Sequence, residues 1–193
     1  MRSGLISCLG GVFLAGAVLA GDLQKGDRDN GKKQAGMCRT CHGLDGFAKI
    51  PIAPHIGGEP EGYIASQLVA FREGLREHEM MSVVTRSLQD SQIADLAAWY
   101  AAHEATATLN ADESGAPEMC TGCHGADGIG LAEDVPNLAG ESTIYIDTQL
   151  KAFRNGKRKH EVMSAIAADL SDDDIRTAAE WYAEIELMIQ VID

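Results

Sequence analysis

Aromatic residues are scarce in this chain: Phe, Trp and Tyr together make up 5% of it. Large side chains therefore cannot dominate a core, and something other than protein is expected to fill part of it. Basic residues are scarce as well, 16 Lys and Arg against 29 Asp and Glu, for a net charge of −13. That deficit excludes nucleic acid as a partner, because affinity for it comes largely from basic side chains that release phosphate counterions. It favours steering toward basic protein surfaces instead. No stretch shows sustained period-two alternation of apolar and polar residues, so nothing in the pattern predicts strands.

What is present is ordinary for a soluble globular protein, with 45% hydrophobic and 23% charged residues. The one long apolar run, Leu5 to Ala20, follows Arg2 and ends in Val18-Leu19-Ala20 before Gly21-Asp22. This is the pattern of an export signal, residues 1–20, cleaved after Ala20. The rival reading is an uncleaved anchor; the Gly and Ala content of the run weighs against it. Cys8 lies inside the segment and is discarded with it. Four cysteines remain, and in an exported protein disulfides are the default reading for them. Their spacing argues otherwise.

Shifted by 82 residues, the chain lands on itself. Cys38, Cys41 and His42 fall on Cys120, Cys123 and His124; Gly58-Glu59 on Gly140-Glu141; Phe71-Arg72 on Phe153-Arg154; His78-Glu79 on His160-Glu161; Met81-Ser82 on Met163-Ser164; Trp99-Tyr100 on Trp181-Tyr182. Between residues 38 and 100, 28 of 63 positions are identical without a gap. The chain is a tandem duplication, expected to form one domain over 21–104 and another over 105–193, with a polar seam near Glu104 to Gly115. At about 80 residues each, such domains have marginal cores unless something staples them.

The periodicity predicts helices. Tyr63, Ile64, Gln67, Leu68 and Phe71 trace one helical face, repeated by Tyr145, Ile146, Gln149, Leu150 and Phe153. Gly74 and Gly156 are placed to end these helices. Ser171-Asp172-Asp173-Asp174 reads as a capped start, after which Ile175, Ala178, Ala179, Tyr182 and Ile185 face inward. The first copy supplies Asp90, Ile93, Leu96, Ala97 and Tyr100. Segments 30–41 and 111–123 read as short helices running into the cysteine motifs. The expected fold is all-α.

The motifs Cys38-Arg39-Thr40-Cys41-His42 and Cys120-Thr121-Gly122-Cys123-His124 carry the chemistry. Two cysteines separated by two residues present both sulfurs from one helical turn to the vinyl groups of a porphyrin, and the adjacent histidine reaches its iron. Zinc sites and thioredoxin-like pairs also use Cys-x-x-Cys, but both leave the histidine unexplained. The motifs therefore predict two covalently attached haem c groups, held by Cys38, Cys41, Cys120 and Cys123, with His42 and His124 as iron ligands. Two haems also answer the shortage of large core residues.

For the sixth iron ligand the repeat sorts the candidates. Met80 aligns with Val162 and cannot serve both copies, whereas Met81 aligns with Met163. Met37 and Met119 also align, but immediately precede the cysteines. His78 and His160 are the rivals, since they match across copies. Met81 and Met163 are preferred, because thioether ligation suits carriers of higher potential. With His and Met both bound, no position is open for substrate, so the protein is expected to move electrons without making bonds. Pro54 and Pro136 are candidates to accept a hydrogen bond from His42 and His124. Arg72, Arg76, Arg154 and Arg158 are candidates to pair with propionates, against the reading that they are solvated helix ends. Trp99, Tyr100, Trp181 and Tyr182 read as core, and His55 and His103 are given no role.

Together, Cys-x-x-Cys-His-Gly-x-Asp-Gly, the step Pro136-Asn137-Leu138-Ala139-Gly140, Tyr-x-x-x-Gln-Leu, Phe-Arg-x-Gly, Met-Ser and the terminal Trp-Tyr resemble the class I cytochromes c, specifically the tandem dihaem cytochrome c4 family. The resemblance covers nearly all of the chain after the export segment. It implies two class I cytochrome c domains, each wrapped round one covalently attached haem. It further implies His/Met ligation and a periplasmic shuttle between a membrane complex and a terminal oxidase or reductase. Pro54-His55-Ile56-Gly57-Gly58 departs from the pattern, as does the tandem Met80-Met81. A second function fits the same domains: the haem-bearing electron-transfer subunit of a dehydrogenase, such as one oxidising sulfur compounds. A third is an enzyme with one open haem. Redox proteins with basic docking surfaces are the expected partners.

Overall fold

The computed structural model describes residues 25–191; the expected export signal and Cys8 lie outside them. The first half runs from α1 (Arg28–Gln34) through a 3-10 turn at Ala35–Met37 into α2 (Arg39–His42), then α3 (Glu61–Arg72), α4 (Met81–Thr85), α5 (Asp90–Ala101) and strand β1 (His103–Thr108). The second half follows with a 3-10 turn at Glu113–Gly115, α6 (Glu118–His124), α7 (Thr143–Arg154), α8 (Glu161–Asp169), α9 (Asp172–Ala183) and β2 (Glu186–Val191). Helices α3 and α7 begin and end 82 residues apart, and so do α5 and α9. Among the described residues no helix is long and apolar enough to cross a membrane.

Local chemistry explains the boundaries. Ser171 and Asp174 form a reciprocal capping box at the start of α9, and Gln89 and Gln92 do the same for α5. Gly74 and Gly156 end the preceding turns with φ of 74° and 78°. The inward faces are those the periodicity predicts: Ile93, Leu96, Ala97 and Tyr100 in one core, Ile175, Ala178, Ala179 and Tyr182 in the other, all buried. Gly31 lets α1 lie directly against α5, since a Cβ there would sit 2.0 Å from the Asp95 carbonyl oxygen.

The fold is helix-rich rather than all-α. β1 and β2 pair antiparallel, His103 opposite Val191 through Thr108 opposite Glu186. The pattern was hidden because the half-buried residues of β1 are Ala105 and Ala107, too small to give a period-two signal against Glu104, Thr106 and Thr108. Among the described residues each strand finds its only strand partner in the other half of the chain, which a local reading cannot see. The expected boundary between residues 104 and 105 falls within β1. The cysteine-motif segments also differ from expectation: the second helix starts at Glu118 rather than near Ala111, with Pro117 at its N-cap.

The halves also meet through the loops after α3 and α7. Arg76 and Arg158 form an antiparallel bridge, and the Glu77 amide donates to the Lys157 carbonyl at 3.1 Å.

Candidate cofactor sites

Each cysteine motif lies on a single helical turn. Cys38 is the N-cap of α2, which ends at His42, and α6 contains Cys120, Cys123 and His124. None of Cys38, Cys41, Cys120 and Cys123 is paired in a disulfide. Among the described residues no three His, Cys, Asp or Glu side chains gather as a metal cluster, so the pairs are not arranged as a zinc site. Gly43 and Gly125 then turn the chain with φ of 73° and 71°. The segment after each motif is tied to the last helix of its half. The indole of Trp99 donates to the Leu44 carbonyl and that of Trp181 to the Ala126 carbonyl, both at 2.9 Å. The Tyr100 and Tyr182 hydroxyls donate to the carbonyls of Gly43 and Gly125 at 3.4 and 3.1 Å. Besides packing in the core, these aromatics hold the motif in place.

His42 and His124 are buried. Their Nδ1 atoms lie 2.9 Å from the Pro54 and Pro136 carbonyl oxygens respectively. A carbonyl only accepts, so each Nδ1 carries the proton and each Nε2 keeps a free lone pair. Burial pushes both imidazole pKa values down, with the proline carbonyl bond opposing. Burial therefore favours the neutral form of both rings, and the proline carbonyl fixes the tautomer of each.

The methionines separate by exposure. Met37, Met80 and Met119 are exposed at 57%, 61% and 59%, whereas Met81 and Met163 are half-buried. Met163 packs against the second core. His78 and His160 are held by the helices that carry these methionines. The His160 Nδ1 accepts from the Met163 amide at 3.2 Å, and the His78 Nδ1 from the Met81 amide at 3.4 Å. An Nδ1 that accepts from an amide leaves the proton on Nε2, so neither ring nitrogen has a lone pair to offer iron. Both rings stand edge-on to Phe71 and Phe153.

The arginines divide into two kinds. Arg72 bonds the Leu88 carbonyl and Asp90, and Arg154 bonds the Leu170 carbonyl and Asp172. These ties brace the turn before α5 and α9. Arg76 and Arg158 are buried at the junction of the halves. Arg76 donates to Gln67, Gln149 and the Tyr145 hydroxyl, and Arg158 to Gln149, Gln67 and the Tyr63 hydroxyl, at 2.7 to 3.0 Å. Every acceptor in this symmetric cluster is neutral.

Two further groups escaped the sequence reading. Glu59 and Glu141, 5% and 2% exposed, each accept from an amide of the opposite half. The His55 amide donates to Glu141 at 2.8 Å and the Asn137 amide to Glu59 at 3.0 Å. His55, assigned no role, also has Nδ1 accepting from the Ala48 amide and Nε2 3.0 Å from the Gly140 carbonyl oxygen. The 82-residue match of both Gly-Glu steps was the available signal, but carboxylate burial is not visible in a repeat.

The donor set fits covalent haem: two thiols on one turn, a neutral imidazole with its Nε2 lone pair available, and a half-buried thioether, twice over. The fold and these sites define a class, the class I c-type cytochromes. The model of the cytochrome c oxidase, cbb3-type, subunit III family matches residues 110–181. The chain is 32% identical over 173 residues to a thiosulfate dehydrogenase electron acceptor of Thiomonas intermedia strain K12, covering 78% of this chain and 79% of that one. It is 31% identical to cytochrome c4 of Pseudomonas aeruginosa, covering 77% and 83%. The crystal structure of reduced recombinant cytochrome c4 from Pseudomonas stutzeri superposes with a TM-score of 0.72 at 28% identity, over 83% of this chain and 100% of that one. The chain belongs to the cytochrome c4 family. It is a dihaem electron-transfer protein carrying haem c, and not itself a catalytic enzyme.

Proposed function

We propose that the protein is a periplasmic shuttle built of two cytochrome domains, residues 21–104 and 105–193, each wrapped round one haem and exported by the segment 1–20. Cys38 and Cys41 attach one haem and Cys120 and Cys123 the other. His42 and Met81 hold the first iron, His124 and Met163 the second. The observation that carries this reading is the pair of 2.9 Å bonds from His42 and His124 to proline carbonyls, which leave one Nε2 lone pair per half for iron. When bound, the haems supply one-electron redox chemistry. The proline carbonyls keep the histidines oriented, while His78 and the His160 cap of α8 accept from the amides of Met81 and Met163 and so position the methionines. With a histidine and a methionine committed to each iron, no ligand position would be left for substrate, so the bound haems would serve electron transfer between a membrane complex or dehydrogenase and a terminal oxidase or reductase.

The test is a redox titration of the purified protein followed by visible and near-infrared spectra. Two haems per chain and a Met-to-iron charge-transfer band are expected. Carbon monoxide binding to the native reduced protein would overturn the closed-site reading. The net charge of −13 supports docking on basic partner surfaces. The rate of electron exchange with the cognate partner should then fall steeply with ionic strength, and a salt-independent rate removes that element.

One second reading has a specific observation behind it, the 32% identity to a thiosulfate dehydrogenase electron acceptor. In it the protein accepts electrons from a catalytic subunit that oxidises thiosulfate. Copurification with such a subunit, and reduction by it on addition of thiosulfate, distinguish it from the free shuttle.

A further inference from the structure

Pro54 and His55 share one peptide unit. Its carbonyl accepts from the His42 ring at 2.9 Å, and its N–H donates to Glu141 at 2.8 Å. The peptide unit of Pro136 and Asn137 repeats the arrangement: its carbonyl accepts from the His124 ring at 2.9 Å, and its N–H donates to Glu59 at 3.0 Å. The connection is crossed. Glu141 belongs to the second half and reaches the histidine of the first; Glu59 belongs to the first and reaches the histidine of the second.

We propose that Glu59 and Glu141 form a crossed, redox-linked proton site, in which each carboxyl sets the basicity of the opposite half's axial histidine through a single peptide unit. This rests on the assignment of His42 and His124 as iron ligands; within it the glutamates are positioning residues that act through the His55 and Asn137 amides.

The physical argument is hydrogen-bond polarisation. Bonds arranged head to tail strengthen one another, most of all in a low-dielectric interior. An ionised Glu141 pulls on the His55 N–H and makes the Pro54 carbonyl a better acceptor. His42 then gains imidazolate character and becomes a stronger ligand, which favours the oxidised iron. Its negative charge acts in the same direction. Protonating Glu141 weakens both effects and favours the reduced state. Reduction therefore takes one electron from the redox partner and draws up to one proton from solvent onto the glutamate pair.

The pair is built to titrate in a useful range. Burial raises both carboxyls, Glu59 to about 8 and Glu141 well above its ordinary value, the latter helped by repulsion from Glu59. Two carboxyls that interact this way titrate as a unit. The Oε2 of Glu141 is buried and has no hydrogen-bond partner, which favours a proton on the pair. The other groups facing Glu141 are Arg76, which favours its ionised form, and the Tyr145 hydroxyl. The His55 ring, its pKa lowered by burial, lies 3.0 Å from the Gly140 carbonyl oxygen and feels the charges of Lys49 and Asp45. Glu59 faces the Asn137 amide and Glu141.

The test is spectroelectrochemistry of the holoprotein from pH about 5 to about 9, a range set by the ordinary carboxyl value and the raised one. Amide resonances of residues 39–42 and 121–124, followed in an NMR redox titration, assign each step to its half whatever the sixth ligand is. The expected result is that both redox equilibria shift toward the oxidised state as pH rises. The limit is tenfold per pH unit, or about 59 mV for a one-electron step. Glu141→Gln should flatten the pH profile of the first half's step and Glu59→Gln that of the second, because Gln still accepts the amide but cannot ionise. Potentials independent of pH, or a variant that changes only its own half's step, overturn the proposal. If either variant fails to fold, redox-difference infrared spectra of the wild-type protein decide: a carboxyl C=O band must change between oxidised and reduced states, and its absence sinks the idea. Two haem steps with flat profiles leave the carrier reading standing, whereas loss of the two haem steps themselves removes both.

Discussion

At the residue scale, the contrast between Met163 and His160 turns on where one proton sits. His160 caps α8 with its Nδ1, so its work is structural. Substituting His160→Ala should cost about 0.5–2 kcal/mol of stability, as other lost N-caps do, and leave the Met-to-iron band in place. Met163→Ala should remove one haem's share of that band, and Met81→Ala the other's. Denaturant unfolding and near-infrared spectra check both; a band that survives both methionine variants disproves the ligand assignment. The repeat favours Met81 over Met80 as a ligand, because Val162 cannot ligate. It left the histidines open, because a tautomer is set by the backbone amide that meets the ring. The proline partners were legible as positions but not as contacts. Only the fold brings the Pro54 carbonyl to His42 across 12 residues.

At the element scale, α1 and α5 pack so closely that Gly31 has no room for a methyl group; the nearest obstacle is backbone of Asp95 rather than a movable side chain. Gly31→Ala should destabilise the first half by about 1–3 kcal/mol, the usual cost of overpacking. Urea denaturation measures it, and a neutral result would mean the helices part without cost. The major helices were legible because caps, apolar faces and closing glycines agree in both copies. The helix after the histidine was not. In the first half α4 spans only Met81–Thr85, since Val83, Val84 and Thr85 are β-branched and the Thr85 hydroxyl bonds back to the Met81 carbonyl at 2.8 Å. In the second, Ala165, Ala167 and Ala168 stand near those positions, and α8 extends to Asp169. The sheet was invisible for a different reason: its stability lies in a pairing between halves that no local window contains.

For the whole molecule, the duplicated units meet across an approximate two-fold relation. Matched residues face one another: Arg76 and Arg158, Gln67 and Gln149, Glu59 and Glu141. The buried glutamates tie this interface to pH. Burial lifts the Glu59 carboxyl from its ordinary 4.5 to about 8, so the folded protein binds that proton more tightly than the unfolded chain. Its contribution to stability is complete below about 4.5 and is lost as pH rises through about 8. The acidic surface complicates the measurement, because its self-repulsion also weakens the fold as carboxylates ionise. Salt separates the two. Exposed charges are screened beyond about 3 Å at 1 M ionic strength, whereas a buried pair is screened far less. In high salt the wild-type protein should still lose stability across this window, and Glu59→Gln should lose less, because the amide has no proton to release. Thermal denaturation at a series of pH values checks this. Parallel curves for the two proteins would mean that the carboxyl ionises as readily in the fold as outside it, which its burial at the junction of the two halves argues against.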